Sequence, residues 1–110
     1  CVRVPILYSH AVSVMVQFDK EFSIKDVIDE LSKHSELVIV NDLENNLYPV
    51  STLSNNNDKV YVGRIRRDLS NSNSILFYCV ADNLRRGAAS NAVFIAKKII
   101  ENYKRKGIAW

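Results

Sequence analysis

The sequence predicts an α+β fold, a mostly antiparallel sheet of about five strands with two helices. Three observations lead there. Val12, Val14, Val16 and Phe18 alternate with Ser13, Met15 and Gln17, the period of a half-buried strand. Ile75 to Val80 is an almost unbroken apolar run, the pattern of a strand covered on both faces. Ile24, Val27, Ile28 and Leu31, and later Val93, Ala96, Ile99, Ile100 and Tyr103, recur at helical spacing.

Length and composition set the frame. A chain of 110 residues is one domain at most and long enough for a modest core. Hydrophobic content of 47% and charged content of 25% suit an ordinary soluble globular protein. There is no apolar stretch of membrane-spanning length and no signal-peptide pattern. The net charge of +3 comes from two arginine clusters and from Lys97, Lys98, Lys104, Arg105 and Lys106. That last set suits the solvated face and C-terminal end of a helix. Cys1 and Cys79 make no disulfide framework and no Cys/His spacing suggests zinc, so a reducing cytoplasm is the expected setting. The chain opens on Cys1 inside an apparent strand, without an initiator Met or a leader, so a piece of a longer polypeptide is expected.

Taken in order, the first element is Cys1-Val2-Arg3-Val4-Pro5-Ile6-Leu7-Tyr8-Ser9-His10. It reads as a strand, which Pro5 confines to an edge, a bulge or a strand start, and a break near Tyr8-Ser9-His10 leaves the histidine at a strand end. Arg3 offers a planar charged fork that matches a carboxylate or phosphate. His10 takes or gives a proton near neutral pH. Together they would make half of an active site. On chemistry alone, an ordinary surface arginine and a hydrogen-bonded histidine are the more economical reading.

The alternating strand Val12–Phe18 follows, then the polar turn Asp19-Lys20-Glu21. Ser23 with Asp26 three residues on marks a helix N-terminus, and the helix runs to about Lys33. His34 near its end is given no catalytic role. Leu37–Val40 is a short apolar strand. Residues 41–57 are rich in Asn, Asp and Ser, hold Pro49, and read as a long loop. A strand from Val60 to Arg66 carries Gly63, the sign of a bulge or a close backbone approach. Asp68 to Asn73 is a polar turn. The apolar run ending at Val80 contains Cys79, a small buried hydrophobe rather than a nucleophile. A long helix follows Asp82-Asn83 to about Tyr103, and its first turns hold Gly87, Ala88, Ala89, Ser90 and Ala92. Such small residues permit close approach of another backbone or a ligand, and tight helix docking explains them equally well.

Three ordered stretches resemble the C-terminal part of the aspartate-semialdehyde dehydrogenase family. Cys1-Val2-Arg3-Val4-Pro5 with His10 is similar to the family's Cys-Val-Arg-Val-Pro-x-x-x-x-His. Val62-Gly63-Arg64-Ile65-Arg66-Arg67-Asp68 is similar to its basic strand, and Val80-Ala81-Asp82-Asn83-Leu84-Arg85-Arg86-Gly87-Ala88-Ala89-Ser90-Asn91-Ala92 to its last strand–helix junction. Asn45-Asn46-Leu47-Tyr48-Pro49 also fits. The departures are local: Tyr8-Ser9 stand where Arg-Gly is common, and Ala11 where Ser is common.

The resemblance implies part of a glyceraldehyde-3-phosphate-dehydrogenase-like C-terminal domain. Residues 1–82 would belong to a substrate-binding and dimerisation domain, and 83–110 would be a C-terminal helix packing on a nucleotide-binding domain outside this chain. The implied reaction is the NADP-dependent reductive dephosphorylation of aspartyl-β-phosphate to aspartate semialdehyde, in lysine (diaminopimelate), threonine and methionine biosynthesis. His10 would be the acid/base, Arg3 would hold the substrate carboxylate, and Asn83 and Gly87 would border the NADP cofactor. The attacking cysteine would lie upstream, so these residues alone would be inactive. A homodimer or larger assembly is implied, with neither nucleic acid nor membrane as partner and no metal.

Two other readings remain. N-acetyl-glutamyl-phosphate reductase shares the cysteine–histidine logic, but the Asp82-Asn83 junction and the Cys1–Pro5 run argue against it. A basic interaction module is the other, built on Arg64, Arg66, Arg67, Arg85 and Arg86. Against it, the 12 acidic residues nearly balance the 15 basic ones and aromatic interleaving is sparse.

Overall fold

Alternating and unbroken apolar runs here become the edge and the centre of one sheet. The computed structural model describes residues 1–107. These hold strands β1 (His10–Gln17), β2 (Leu37–Ile39), β3 (Val60–Arg67) and β4 (Ser74–Ala81), and helices α1 (Ile24–Ser32) and α2 (Ser90–Arg105). The strand order is β1-β4-β3-β2. β4 pairs antiparallel with β1, His10 opposite Ala81 and Gln17 opposite Ser74, and antiparallel with β3 on its other side.

The α+β class holds, with two corrections. The sheet is mixed, because β2 runs parallel to β3. Parallel neighbours need a crossover of roughly a dozen residues or more, and residues 40–59 supply it. There are four described strands, because the first nine residues do not form one. Pro5 cannot donate to a ladder, Ile6 N–H turns back on the Val4 carbonyl at 2.9 Å, and Ser9 adopts a φ of 82°. That backbone ends any extended run, so the strand starts at His10.

The long loop is anchored rather than free. Asp42 and Leu47 form an isolated bridge, and Ser51–Ser54 make one 3₁₀ turn. Both readings of Gly63 are realised. The β3–β4 register shifts between Gly63 and Arg66, and Arg64 takes a φ of 56°. A Cβ on Gly63 would strike the Val40 carbonyl oxygen and lie 2.5 Å from Pro49 Cδ. The loop thus seats the buried Pro49 on the bare backbone of the strand. Asn41 Oδ1 accepts the Ile65 N–H at 2.9 Å, a bond the bulged ladder no longer makes.

α1 starts where expected. Ser23 accepts the Asp26 N–H at 3.0 Å, a cap worth about 1 kcal/mol. Its apolar face meets β2 and β3, and the core lies around Val62, Ile65, Ile75, Val80 and Ala81. β4 is buried at both ends and half-buried from Leu76 to Cys79, so its cover is incomplete in the middle. α2 buries no residue, and Val93, Ile99, Ile100 and Tyr103 of the expected stripe are 39–53% exposed. The radius of gyration of 15.8 Å exceeds the ~13 Å of a compact domain of this length, as a projecting helix requires. Of the C-terminal segment 83–110, residues 108–110 lie outside the described residues.

Candidate active site

One buried carboxylate organises the junction after β4. Asp82 is 5% exposed, and its Oδ1 accepts the N–H groups of Leu84 at 2.8 Å and Arg85 at 3.0 Å. Its Oδ2 accepts Asn56 N–H at 2.8 Å, from the loop before β3. These bonds, Arg85 N–H foremost, with the Arg85 charge adding to them, hold its carboxyl below the usual carboxylate range. Its own carbonyl accepts Gly87 N–H at 2.8 Å, which opens a wide π-type turn over Arg85–Ala89 ahead of α2. Such turns interrupt helices frequently at functional sites.

The loop is tied to this turn a second time. Arg85 forks onto Asp58, with Nε at 3.2 Å and Nη2 at 2.6 Å, and Ser90 Oγ lies 2.5 Å from the same carboxylate. The Arg85 hydrogen bond lowers the Asp58 pKa, with Ser90 second.

Three of the four expected site residues meet here. His10 opens β1, and its imidazole makes no hydrogen bond with the described residues. A Cβ on Gly87 would fall 2.8 Å from His10 Cε1 and 2.9 Å from Nε2, so the ring stacks where only a glycine leaves room. Asn83 joins through the residue before His10: its Oδ1 accepts Ser9 N–H at 2.8 Å. Asn83 is therefore not the helix cap, since Asp82 takes that work one position earlier. Arg3 stays in the exposed N-terminal segment, where its guanidinium makes no hydrogen bond or ion pair with the described residues.

His10, Arg86, Gly87 and Asn91 rim a cleft of about 370 Å³ with an apolar floor that includes Val12 and Cys79. Burial pushes the Cys79 thiol up, the opposite of an activated nucleophile. The Arg86 guanidinium stacks over Phe94 at 4.2 Å, and its Nη1 is buried without a hydrogen-bond partner. A larger cavity of about 740 Å³, lined in part by Ser13, Tyr48, Arg64 and Tyr78, shares no residue with this cleft. Ser13 and His10 point to opposite faces of β1 by strand alternation. Three of the five arginines are engaged within the fold: Arg67 caps Phe22 at 4.4 Å, Arg85 holds Asp58 and Arg86 covers Phe94.

Sequence reasoning missed Asp82 and Ser54. An aspartate at a strand end, ahead of a run that becomes helical, is a legible capping signal for the first. The second is 0% exposed and hydrogen-bonded to Ser9 Oγ at 2.9 Å across 45 residues, which no local pattern announces.

The family description of the semialdehyde dehydrogenase dimerisation domain matches residues 1–86. The chain is 43% identical over 102 residues to an aspartate-semialdehyde dehydrogenase of Helicobacter pylori, covering 93% of this chain and 30% of that protein. It is 40% identical over 101 residues to the protein of the same name from Campylobacter jejuni, covering 92% and 29%. Among solved structures it is similar to aspartate semialdehyde dehydrogenase II of Vibrio cholerae, complexed with ASA, with a TM-score of 0.76 and 34% identity over 92% of this chain and 30% of that one. The chain thus spans about 30% of the length of the curated relatives it matches.

Proposed function

The chain belongs to the semialdehyde dehydrogenase family, and from that membership we propose that it is the dimerisation-domain part of an aspartate-semialdehyde dehydrogenase. The reaction proposed is the reductive dephosphorylation of aspartyl-β-phosphate to aspartate semialdehyde with NADP, in the cytoplasm and in amino-acid biosynthesis. The observation that carries the reading is the imidazole of His10, free of hydrogen bonds to the described residues and seated on Gly87 at the rim of a cleft. The ring is exposed, so its nitrogens are open to a substrate entering that cleft.

His10 is the general acid/base that relays a proton to the oxygen of the reacting carbonyl and keeps the attacking thiol ionised. Neither cysteine here supplies that thiol: Cys1 is exposed at the start of the chain and Cys79 is held protonated by burial. Arg3 pairs its planar fork with the substrate carboxylate and fixes orientation. Without a partner among the described residues, that fork is uncommitted there. The cofactor, when bound, supplies the hydride. Asn83 fits its carboxamide: Oδ1 is taken by Ser9, and Nδ2, without a partner among the described residues, remains to donate. Gly87 borders the same turn without a side chain.

The open apolar stripe of α2 supports a division in which residues 1–82 serve substrate and dimer contacts and 83–110 pack on a nucleotide-binding domain. No described helix is long and apolar enough to cross a membrane.

The test is phosphate-dependent reduction of NADP by the full-length enzyme with aspartate semialdehyde. Turnover is expected. Turnover of N-acetyl-glutamate semialdehyde instead would give the second family its place, and turnover of neither would remove the reading.

A further inference from the structure

We propose that Ser54 is a positioning residue for the reaction, acting through its hydroxyl contact with Ser9 to set the imidazole of His10. The inference rests on the acid/base role assigned to His10 above.

Ser9 immediately precedes the strand that carries the histidine, and its φ of 82° lies in the left-handed region that residues with a Cβ avoid. Something must hold it there. Its N–H donates to Asn83 Oδ1 at 2.8 Å, and its hydroxyl meets that of Ser54 at 2.9 Å. Ser9 is 7% exposed and Ser54 0%, so water does not replace either contact. Ser54 is itself fixed, its Oγ lying 3.0 Å from the Ser51 carbonyl within the 3₁₀ turn.

The consequence reaches the ring. His10 follows Ser9 directly, so a relaxation of residue 9 toward negative φ swings the root of the imidazole. On the other side the ring lies in the space a Cβ on Gly87 would take, so a shift at its root changes how it sits against that turn. A displacement of about 1 Å in a reacting group can cost as much as 10²-fold in rate. The Asn-rich loop, 45 residues away in the chain, thereby controls the geometry of the proton relay.

The test is a double-mutant cycle in the full-length enzyme, with Ser54→Ala, Ser9→Gly and the pair, read in kcat and KM. Glycine adopts positive φ without help. Ser54→Ala alone should lower kcat about 3- to 10-fold, the size of one neutral hydrogen bond, with KM unchanged. Added to Ser9→Gly, it should lower kcat no further. An unchanged kcat in Ser54→Ala, an equal loss in both backgrounds, or a loss in KM alone overturns the proposal. Should Ser54→Ala not fold, Ser9→Ala carries the test: it keeps the Cβ without the hydroxyl, so its kcat should fall below that of Ser9→Gly, and equality overturns the proposal. His10→Asn is measured alongside. A near-normal kcat there overturns the acid/base role itself, and the proposal with it, whereas a lost kcat beside an indifferent Ser54 overturns only the proposal.

Discussion

Gly87 and His10 share a space that a side chain on residue 87 would fill. A Cβ there lies 2.8 Å and 2.9 Å from two atoms of the imidazole and 3.2 Å from the Asp82 carbonyl oxygen. The turn that opens the last helix and the first residue of β1 are therefore shaped to each other.

Gly87→Ala should push the ring rather than unfold the chain, because a side chain rotates away at less cost than backbone moves. We expect kcat in the full-length enzyme to fall about 10-fold or more, with a small change in thermal midpoint, since a misaligned acid/base reacts poorly. Steady-state kinetics beside a melting curve separates the two. A large fall in midpoint with kcat intact would assign the glycine to packing alone.

His10→Asn keeps a polar group of similar size and cannot relay a proton at neutral pH. The loss of a general acid/base should lower kcat by roughly 10²–10⁴ with a much smaller effect on KM.

Arg3→Lys retains the charge and loses the fork. KM should rise, with a partial loss of kcat from poorly oriented substrate. Unchanged kinetics would return Arg3 to an ordinary surface position.

The junction after β4 should weaken in acid. The folded-state pKa of Asp82 is depressed, chiefly by the Arg85 N–H. Its contribution is therefore complete above the unfolded value of about 3.9 and is lost as pH falls below it toward the lower folded value. Asp82→Asn removes that dependence and breaks the shared acceptance of Asn56 and the helix turn. Denaturant titrations at pH 7 and in the acid range, on both proteins, should converge as pH falls. A constant gap between them would place the acid sensitivity elsewhere.

The 110 residues alone should show no dehydrogenase turnover and should self-associate. Helix α2 leaves an apolar stripe uncovered, and patches of that kind find partners. Sedimentation at tens of micromolar, on the order of common assay concentrations, checks the second point, where a clean monomer would count against it.

Much of the fold was legible because local pattern decided it. Val12, Val14 and Val16 alternate, Ser23 caps its helix, and the run ending at Val80 is apolar enough to lie between two other strands. The direction of β2 was not legible. Leu37-Val38-Ile39 carries no sign of whether its partner runs parallel, since that depends on where a 20-residue crossover returns the chain (residues 40–59). The first nine residues misled in a different way. Their apolar content suits a strand, but content does not reveal the positive φ at Ser9.

By itself the sequence offered the candidates for the site: an arginine near the start, a histidine at an expected strand end, an Asp-Asn pair at a strand–helix junction and a glycine one turn on. Only the tertiary structure decided that Asp82 also holds the Asn56 N–H, that Gly87 serves the His10 ring, and that Ser54 reaches Ser9. Each of those contacts joins residues from separate elements, the last pair 45 positions apart. Hydrogen bonds of that span follow from the packing of the loop on the sheet, and no local propensity encodes them.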